Sequence, residues 1–75
     1  MTNKTNMLSK DNFAKNLRRL RIEKGYTIEE FANELDKSTR LIYDYENGIK
    51  YPSLATLIEI VNVLSTTIDS ILRTA

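Results

Sequence analysis

Apolar residues recur at helical spacing in the first third of the chain. Between residues 10 and 24 they follow the i, i+4, i+7 pattern that places side chains on one face of a helix. Ser9 precedes this segment as a candidate N-cap, and Gly25 follows it with the left-handed freedom that ends helices. The pattern predicts a first helix whose apolar face holds Phe13, Leu17 and Leu20.

A second, shorter apolar period begins directly afterwards. Thr27 and Glu30 have the spacing of a capping box, which predicts a helix over residues 28–35. Asp36 and Lys37 then predict a tight turn, because Asp tolerates left-handed backbone geometry better than most residues do. The apolar face of this helix is predicted to hold Ile28, Phe31, Ala32 and Leu35.

A third helix is predicted over residues 39–47, with Ser38 as its cap and Gly48 as its end. Ile42 and Tyr45 have the spacing of inward positions. The opposite, outward face is predicted to hold Thr39, Arg40, Tyr43 and Asp44.

The rest of the chain predicts two more helices, residues 54–64 and residues 68–73. Pro52 and Ser53 precede the first of them, and Thr67 is the candidate cap of the second. The predicted core stripe of the longer helix is Leu54, Leu57, Ile60, Val61 and Leu64.

These elements predict an all-α fold of five short helices in a single domain. Residues 1–8 are polar without periodicity, so we expect a flexible N-terminal arm followed by a helix-turn-helix domain at residues 9–75. The short turn around residues 36–39 holds the second and third helices at a steep angle, which is the helix-turn-helix arrangement.

Composition narrows the function classes. The 75 residues include no Cys and no His, which excludes disulfides and the usual zinc sites. No apolar run approaches the roughly 20 residues that span a bilayer, and the polar start is unlike a signal peptide. We therefore expect a cytoplasmic protein without membrane contact. The sequence also lacks a nucleophile–base pair and a Gly-rich phosphate loop, so we expect neither an enzyme nor a cofactor.

Charge is unevenly distributed although the net charge is only +1. Residues 1–24 contain seven Lys or Arg against two acids, and residues 25–48 contain two against six acids. The basic first third is compatible with phosphate contact, whereas the acidic middle weakens attraction to nucleic acid.

The chain resembles the lambda-repressor/Cro family of helix-turn-helix regulators, also called the XRE family, over residues 13–72. The resemblance implies a five-helix DNA-binding domain that works as a dimer on double-stranded DNA. The positions that carry it are Tyr26–Ala32, Ser38, Ile42, Tyr45–Gly48 and Pro52–Leu54.

The third helix then becomes the candidate reading helix, since such a helix enters the major groove with its N-terminal residues towards the bases. Arg40 is the best candidate for base readout, because Arg paired with guanine O6 and N7 is the commonest specific contact. Tyr43 suits a thymine methyl or a phosphate. Asp44 suits either a cytosine amine or the orientation of Arg40, and the i, i+4 spacing favours orientation. The predicted base-readout set is Ser38, Thr39, Arg40, Tyr43 and Asp44.

The resemblance places phosphate contacts at the start of the second helix and after the third. A backbone N–H at Ile28 binds phosphate whatever its side chain. Arg18 is a weaker candidate. The predicted phosphate set is Thr27, Ile28, Lys37, Asn47, Lys50 and Tyr51. The resemblance also implies an ion pair between Arg21 and Glu46 that ties the first helix to the third; the alternative is two independent surface charges.

Three departures from the family pattern change the expectations. Ile28 stands where many relatives have a phosphate-binding Gln, so that side-chain contact is absent. Asp36 replaces a common Gly, and Lys37, in place of a small apolar residue, should lie at the surface. Ser65 and Thr66 replace a frequent Gly-Val, which predicts a looser turn before the last helix.

The leading hypothesis is a sequence-specific regulator, a repressor that binds a pseudo-palindromic operator as a homodimer. We expect its dimer surface among apolar residues that are not all required to fill the core, namely Ile58, Ile68, Ile71 and Leu72. The alternative is a protein-interaction module of the same fold, an antitoxin or the partner of an anti-repressor. A regulatory protein partner fits both hypotheses.

Overall fold

The computed structural model describes residues 10–74 and contains five helices and no strand in that range. They are α1 (Lys10–Glu23), α2 (Ile28–Leu35), α3 (Thr39–Glu46), α4 (Leu54–Val63) and α5 (Ile68–Leu72). The predicted all-α, five-helix architecture is confirmed, with helix ends one residue earlier than expected in every case but α2. The predicted N-terminal arm and the Ser9 cap lie outside the described residues.

Side-chain caps begin four of the helices. In each case a hydroxyl accepts a hydrogen bond from the backbone N–H three residues later, which satisfies one of the free donors of a helix start. The capping box of α2 is complete, because the Glu30 carboxylate also accepts from the Thr27 N–H at 2.9 Å. The capping residues are Thr27, Ser38, Ser53 and Thr67.

Four helices end in the same way, with a residue in the left-handed conformation that reverses the chain. At each end, two backbone N–H groups donate to carbonyls of the last turn, as in a Schellman motif. The residue with positive φ is Gly25 after α1, Asp36 after α2, Gly48 after α3 and Ser65 after α4. The turn at Ser65 keeps both bonds, from Ser65 N–H to Asn62 at 3.2 Å and from Thr66 N–H to Val61 at 2.9 Å, so the expected looser turn is wrong.

The core is continuous and receives side chains from every helix. Its fully buried large residues include Phe13 and Leu17 of α1, Phe31 of α2 and Ile42 of α3. α1 packs on α3 and α5, while α2 packs on α3 and α4. Two eight-residue helices are too short to be stable alone, so this packing holds α2 and α3 in place.

Two apolar assignments from the sequence are wrong. Leu54, predicted in the core stripe of α4, is the first residue of that helix and is 67% exposed, so no other element covers it there. Ile71, predicted at a dimer surface, is fully buried on α5. It fills the core together with Leu64, so it is not surplus apolar surface. Ile68 and Leu72 are partly buried against the same core.

The buried side-chain amide of Asn16 joins α1 to the end of α5. Asn16 is 1% exposed, and its Nδ2 donates to the carbonyls of Ile71 at 2.9 Å and Arg73 at 2.8 Å. α5 has only five residues, and its final carbonyls have no partner within the helix. Asn16 therefore fastens the end of α5 to α1.

Candidate nucleic-acid interface

The outward side of α3 is the exposed face predicted from the sequence, except at one position. Thr39 and Arg40 are exposed, and the Tyr43 ring is 50% exposed. The Arg40 guanidinium lies 6.0 Å from the centre of the Tyr43 ring, within the range of a cation–π contact. Ser38 is also exposed, but its hydroxyl accepts from the Leu41 N–H at 3.1 Å as the helix cap.

Asp44 does not belong to that exposed face. Its side chain is 7% exposed, so of the two roles predicted for Asp44 the contact with a cytosine amine is wrong. Its position five residues after Thr39 turns it towards the loop that follows α3. Its carboxylate instead accepts from Arg40 Nε at 3.2 Å and lies 3.9 Å from Lys50 Nζ. This is the orienting contact that the i, i+4 spacing favours.

An open depression of about 790 Å³ separates the start of α2 from the outward face of α3. The first N–H groups of α2 have no acceptors within the helix and point out of its N-terminus, where the helix dipole favours an anion. The depression therefore combines the N-terminus of a helix with an aromatic ring and a guanidinium. Its lining residues are Arg21, Thr27, Ile28, Glu29, Thr39, Arg40 and Tyr43.

A buried ion pair fixes α3 against α1. Arg21 Nε donates to Glu46 at 2.6 Å and Arg21 Nη2 donates at 3.1 Å, with side chains 9% and 4% exposed. Arg21 Nη1 donates to the Tyr26 carbonyl at 2.8 Å. The guanidinium thus joins α1, the loop before α2 and the end of α3, so the two elements that border the depression share one anchor.

Three phosphate candidates lie at the end of α3 and in the loop that follows it. Lys50 is exposed, and Asn47 is exposed while its Nδ2 donates to the Tyr43 carbonyl at 2.8 Å. Tyr51 is 41% exposed and its ring packs edge-on against Phe13 at 5.2 Å. Burial raises the pKa of Tyr51 above its ordinary value of 10.0.

Two further candidates, Lys37 and Arg18, do not line the depression, whereas Ile28 does. Lys37 is half-buried in the turn between α2 and α3, less exposed than expected, and Arg18 is exposed on α1. Ile28 is half-buried and packs against the core, so only its backbone N–H is available to an anion.

Two features were missed from the sequence. Glu29 lines the depression, and its place in the first turn of α2 was the available signal. The contact of Asp44 with Lys50 depends on how the loop folds back, with the N–H groups of residues 49 and 50 bonded to the Asp44 carbonyl at 2.9 and 3.3 Å. No spacing rule gives that conformation.

Within residues 10–74, no cluster of three or more Asp, Glu, His or Cys side chains is arranged to hold a metal ion. None of the described helices has the length and apolar character needed to cross a membrane.

The helix-turn-helix family model HTH_3 matches residues 17–71, which include α2, α3 and most of the remaining helices. The chain belongs to this family. A comparison with curated proteins returned no match.

Solved structures share the fold. The clp gene regulator ClgR from C. glutamicum is 25% identical, with a TM-score of 0.80 over 84% of this chain and 81% of its own. The restriction-modification controller protein C.AhdI from Aeromonas hydrophila is 22% identical, with a TM-score of 0.77 over 83% of this chain and 94% of its own. Together with the family, these similarities support a DNA-binding transcriptional regulator.

The same fold also occurs in a larger protein. The hydroxypropylphosphonic acid epoxidase from S. wedmorenis is 24% identical, with a TM-score of 0.81 over 88% of this chain. The match covers 35% of that enzyme's chain. This likeness concerns the fold alone.

Proposed function

We propose that this protein is a sequence-specific transcriptional regulator, a repressor, that binds operator DNA through α3. The observation that carries the proposal is the depression between the N-terminus of α2 and the outward face of α3. A major groove admits one α-helix, and a helix N-terminus beside it suits a backbone phosphate. Arg21 bonds to the Tyr26 carbonyl before α2 and to Glu46 at the end of α3, so one side chain positions both surfaces relative to each other.

Base readout is assigned to the exposed residues near the start of α3. Arg40 donates to guanine O6 and N7, and such a pair contributes about 1–3 kcal/mol of discrimination. Tyr43 packs against a thymine methyl, and Thr39 contacts a neighbouring base or phosphate. Ser38 contributes mainly as the helix cap. These assignments rest on exposure and side-chain chemistry.

Phosphate binding is assigned to both ends of the reading helix. The capped start of α2 offers Thr27 and the Ile28 N–H to one phosphate. Lys50, Asn47 and Tyr51 follow α3 and suit another. Since each neutralised phosphate adds to affinity in a salt-dependent way, this small set and the acidic α2 predict weak binding to random DNA, with a salt dependence set by these few contacts.

We further propose that the protein acts as a homodimer in the cytoplasm on a pseudo-palindromic operator. Two-fold pairing places two reading helices about 34 Å apart, one turn of DNA. Ile58 is 44% exposed on α4 and is the strongest remaining candidate for the dimer surface. Ile68 and Leu72 add smaller exposed areas, while buried Ile71 no longer belongs to this set.

Selection of bound sites from a random duplex library tests the proposal. The wild-type protein should enrich one sequence made of two inverted half-sites. Arg40→Ala should relax the preference at one base position in each half-site, whereas Lys50→Ala should weaken binding to every sequence. Enrichment of no sequence at low salt contradicts the proposal, and an unchanged preferred site for Arg40→Ala contradicts the assignment of Arg40.

One observation favours a second function, a protein-interaction module. A shallow groove of about 350 Å³ between α2 and α4 is lined by three acids and no cation, namely Glu34, Asp36 and Glu59 with Leu35, Asn62 and Val63. Such a surface repels DNA and suits a basic protein partner, such as a cognate toxin. Binding of a protein partner by a chain that retains no duplex at low salt would favour this function over the first.

A further inference from the structure

One buried carboxylate faces both a base-readout candidate and a phosphate candidate. Asp44 Oδ1 is 3.2 Å from Arg40 Nε, and Asp44 Oδ2 is 3.9 Å from Lys50 Nζ. The Asp44 side chain is 7% exposed, whereas those of Arg40 and Lys50 are 80% and 60% exposed. The two cations therefore extend into solvent from a shared, buried anion.

The contact with Asp44 leaves the tip of Arg40 available. A guanidinium has five N–H donors, and its Nε–H is directed at Asp44 here. The two terminal nitrogens lie at the far end of an exposed side chain and match the O6 and N7 acceptors of guanine. Arg40 can thus bind guanine end-on without releasing Asp44.

A phosphate makes a different demand on Arg40. On DNA without guanine at this position, the strongest available acceptors are phosphate oxygens, which lie along the sides of the groove and not at its floor. An Arg40 side chain directed at the floor would turn sideways, away from Asp44, to reach them. Asp44 then loses its nearer cation. A buried charge that loses its partner destabilises the complex unless another cation replaces it. Lys50 is the only other cation within 4 Å of Asp44 in the described chain, and it is itself a phosphate candidate.

We propose that Asp44 is a positioning residue that makes guanine readout by Arg40 and phosphate binding by Lys50 depend on each other. The proposal rests on the proposed function of α3. With guanine present, Arg40 keeps Asp44 paired and Lys50 is free to bind phosphate. Without guanine, either Arg40 or Lys50 must stay with Asp44, so only one of the two cations can bind phosphate. Asp44 therefore improves selectivity by weakening non-cognate binding.

The direct test is Asp44→Asn, which keeps the shape of the side chain and removes its charge. Binding is measured for the duplex selected by the wild-type protein and for the same duplex with 7-deazaguanine, which lacks N7, at the Arg40 position. The wild-type preference for guanine should fall about fivefold or more in the variant, because a neutral amide oxygen holds Arg40 less firmly than a carboxylate does. Affinity for a random duplex should rise, and its salt dependence should steepen by about one phosphate contact, a slope change of about 0.9.

Asp69→Asn is the matched charge control. Asp69 is an exposed acid paired with Arg73 on α5, and its replacement changes the net charge by the same amount. It should leave the preference for guanine and the salt slope unchanged. If Asp44→Asn and Asp69→Asn change the affinity for the two duplexes by the same factor, Asp44 acts only through net charge and the proposal is overturned.

Lys50→Met keeps the proposal testable even if Asp44→Asn fails to fold, since it changes an exposed side chain. Without Lys50, only Arg40 can neutralise Asp44. Overall affinity should fall while the preference for guanine over 7-deazaguanine rises about twofold or more. An unchanged preference overturns the coupling. Failure of the wild-type protein to bind any duplex contradicts the proposed function instead, and the two results are distinguishable.

Discussion

Glu46 holds the guanidinium of Arg21 with two hydrogen bonds, 2.6 Å from Nε and 3.1 Å from Nη2, in a nearly dry contact between α3 and α1. A planar guanidinium and a carboxylate match each other in this two-pronged geometry. The pair fixes the end of α3 against α1. α3 has eight residues and depends on such contacts for its position.

Removal of one partner from this pair should destabilise the fold strongly. Glu46→Ala leaves the Arg21 charge buried without a counter-ion, so the free energy of unfolding should fall by about 3–5 kcal/mol. Urea denaturation followed by circular dichroism measures the change. Loss of cooperative unfolding is an equivalent outcome in a domain of this size.

The pair formed by Arg19 and Glu23 provides the control for that experiment. It is also an Arg–Glu contact, at 3.2 Å, but its side chains are 53% and 56% exposed. Glu23→Ala should change the free energy of unfolding by less than about 1 kcal/mol, because exposed pairs contribute little. Similar losses in Glu23→Ala and Glu46→Ala would contradict the role assigned to burial.

The two glycines of the chain should differ in their tolerance of a methyl group. Gly25 and Gly48 have φ of +83° and +73°, so alanine at either position is strained by about 1–2 kcal/mol. A Cβ at Gly25 meets nothing within 4 Å, whereas one at Gly48 lies 3.2 Å from Asp11 Oδ1. Gly48→Ala should therefore lower the melting temperature more than Gly25→Ala does.

The larger fall in melting temperature expected for Gly48→Ala depends on the Asp11 carboxylate. In the double variant Gly48→Ala/Asp11→Ala, compared with Asp11→Ala alone, the loss should shrink to the value for Gly25→Ala. An excess that persists without the carboxylate would mean that the Asp11 contact is not its cause.

The predictable part of this fold is the part that local rules govern. The capping hydroxyls, the apolar periods and the left-handed Asp36 follow from residue type and spacing, and the structure has them. Leu54 was misplaced because periodicity gives the face of a helix but not where the neighbouring elements end. Its position at the first residue of α4 leaves it 67% exposed.

The candidate interface also has a part that the sequence predicts and a part that it does not. Exposure of Arg40 and Tyr43 follows from their place on α3, and the proximity of Arg21 to Glu46 was accessible only through family resemblance. The burial of Asp44 was not predictable, because it depends on a loop that folds back on the Asp44 carbonyl. Contacts made by irregular backbone lie outside any periodic pattern.

Glycine should stabilise the turn before α5. Ser65 has φ of 53°, an uncommon conformation for a residue with a Cβ, and its side chain is exposed. Ser65→Gly removes that strain at the cost of a more flexible unfolded chain, with an expected net gain of about 0.5–1 kcal/mol. This corresponds to a rise in melting temperature of about 2–8 °C for a domain of this length.

Ser65→Ala separates the strain from the loss of the hydroxyl. Alanine keeps a Cβ in the left-handed conformation, so Ser65→Ala should bring no gain. Asp36→Gly should stabilise less than Ser65→Gly, because Asp adopts this conformation at lower cost. Equal gains for glycine and alanine at residue 65 would show that the backbone strain is not the cause.

Stability should decline at alkaline pH, partly through Tyr45. Burial raises the pKa of Tyr45 above 10.0, its value in an unfolded chain, and the ring lies in the core edge-on to Phe13 at 6.2 Å. Above about pH 10 the unfolded chain loses this proton more readily than the folded one does, which favours unfolding. The contribution is therefore fully present below pH 10 and is lost as pH rises through the raised pKa.

Tyr45→Phe should reduce the fall in unfolding free energy by up to about 1.4 kcal/mol per pH unit in that range. Urea denaturation between pH 7 and pH 11 measures the slope, and equal slopes for wild type and variant would exclude Tyr45 as a source of alkaline instability.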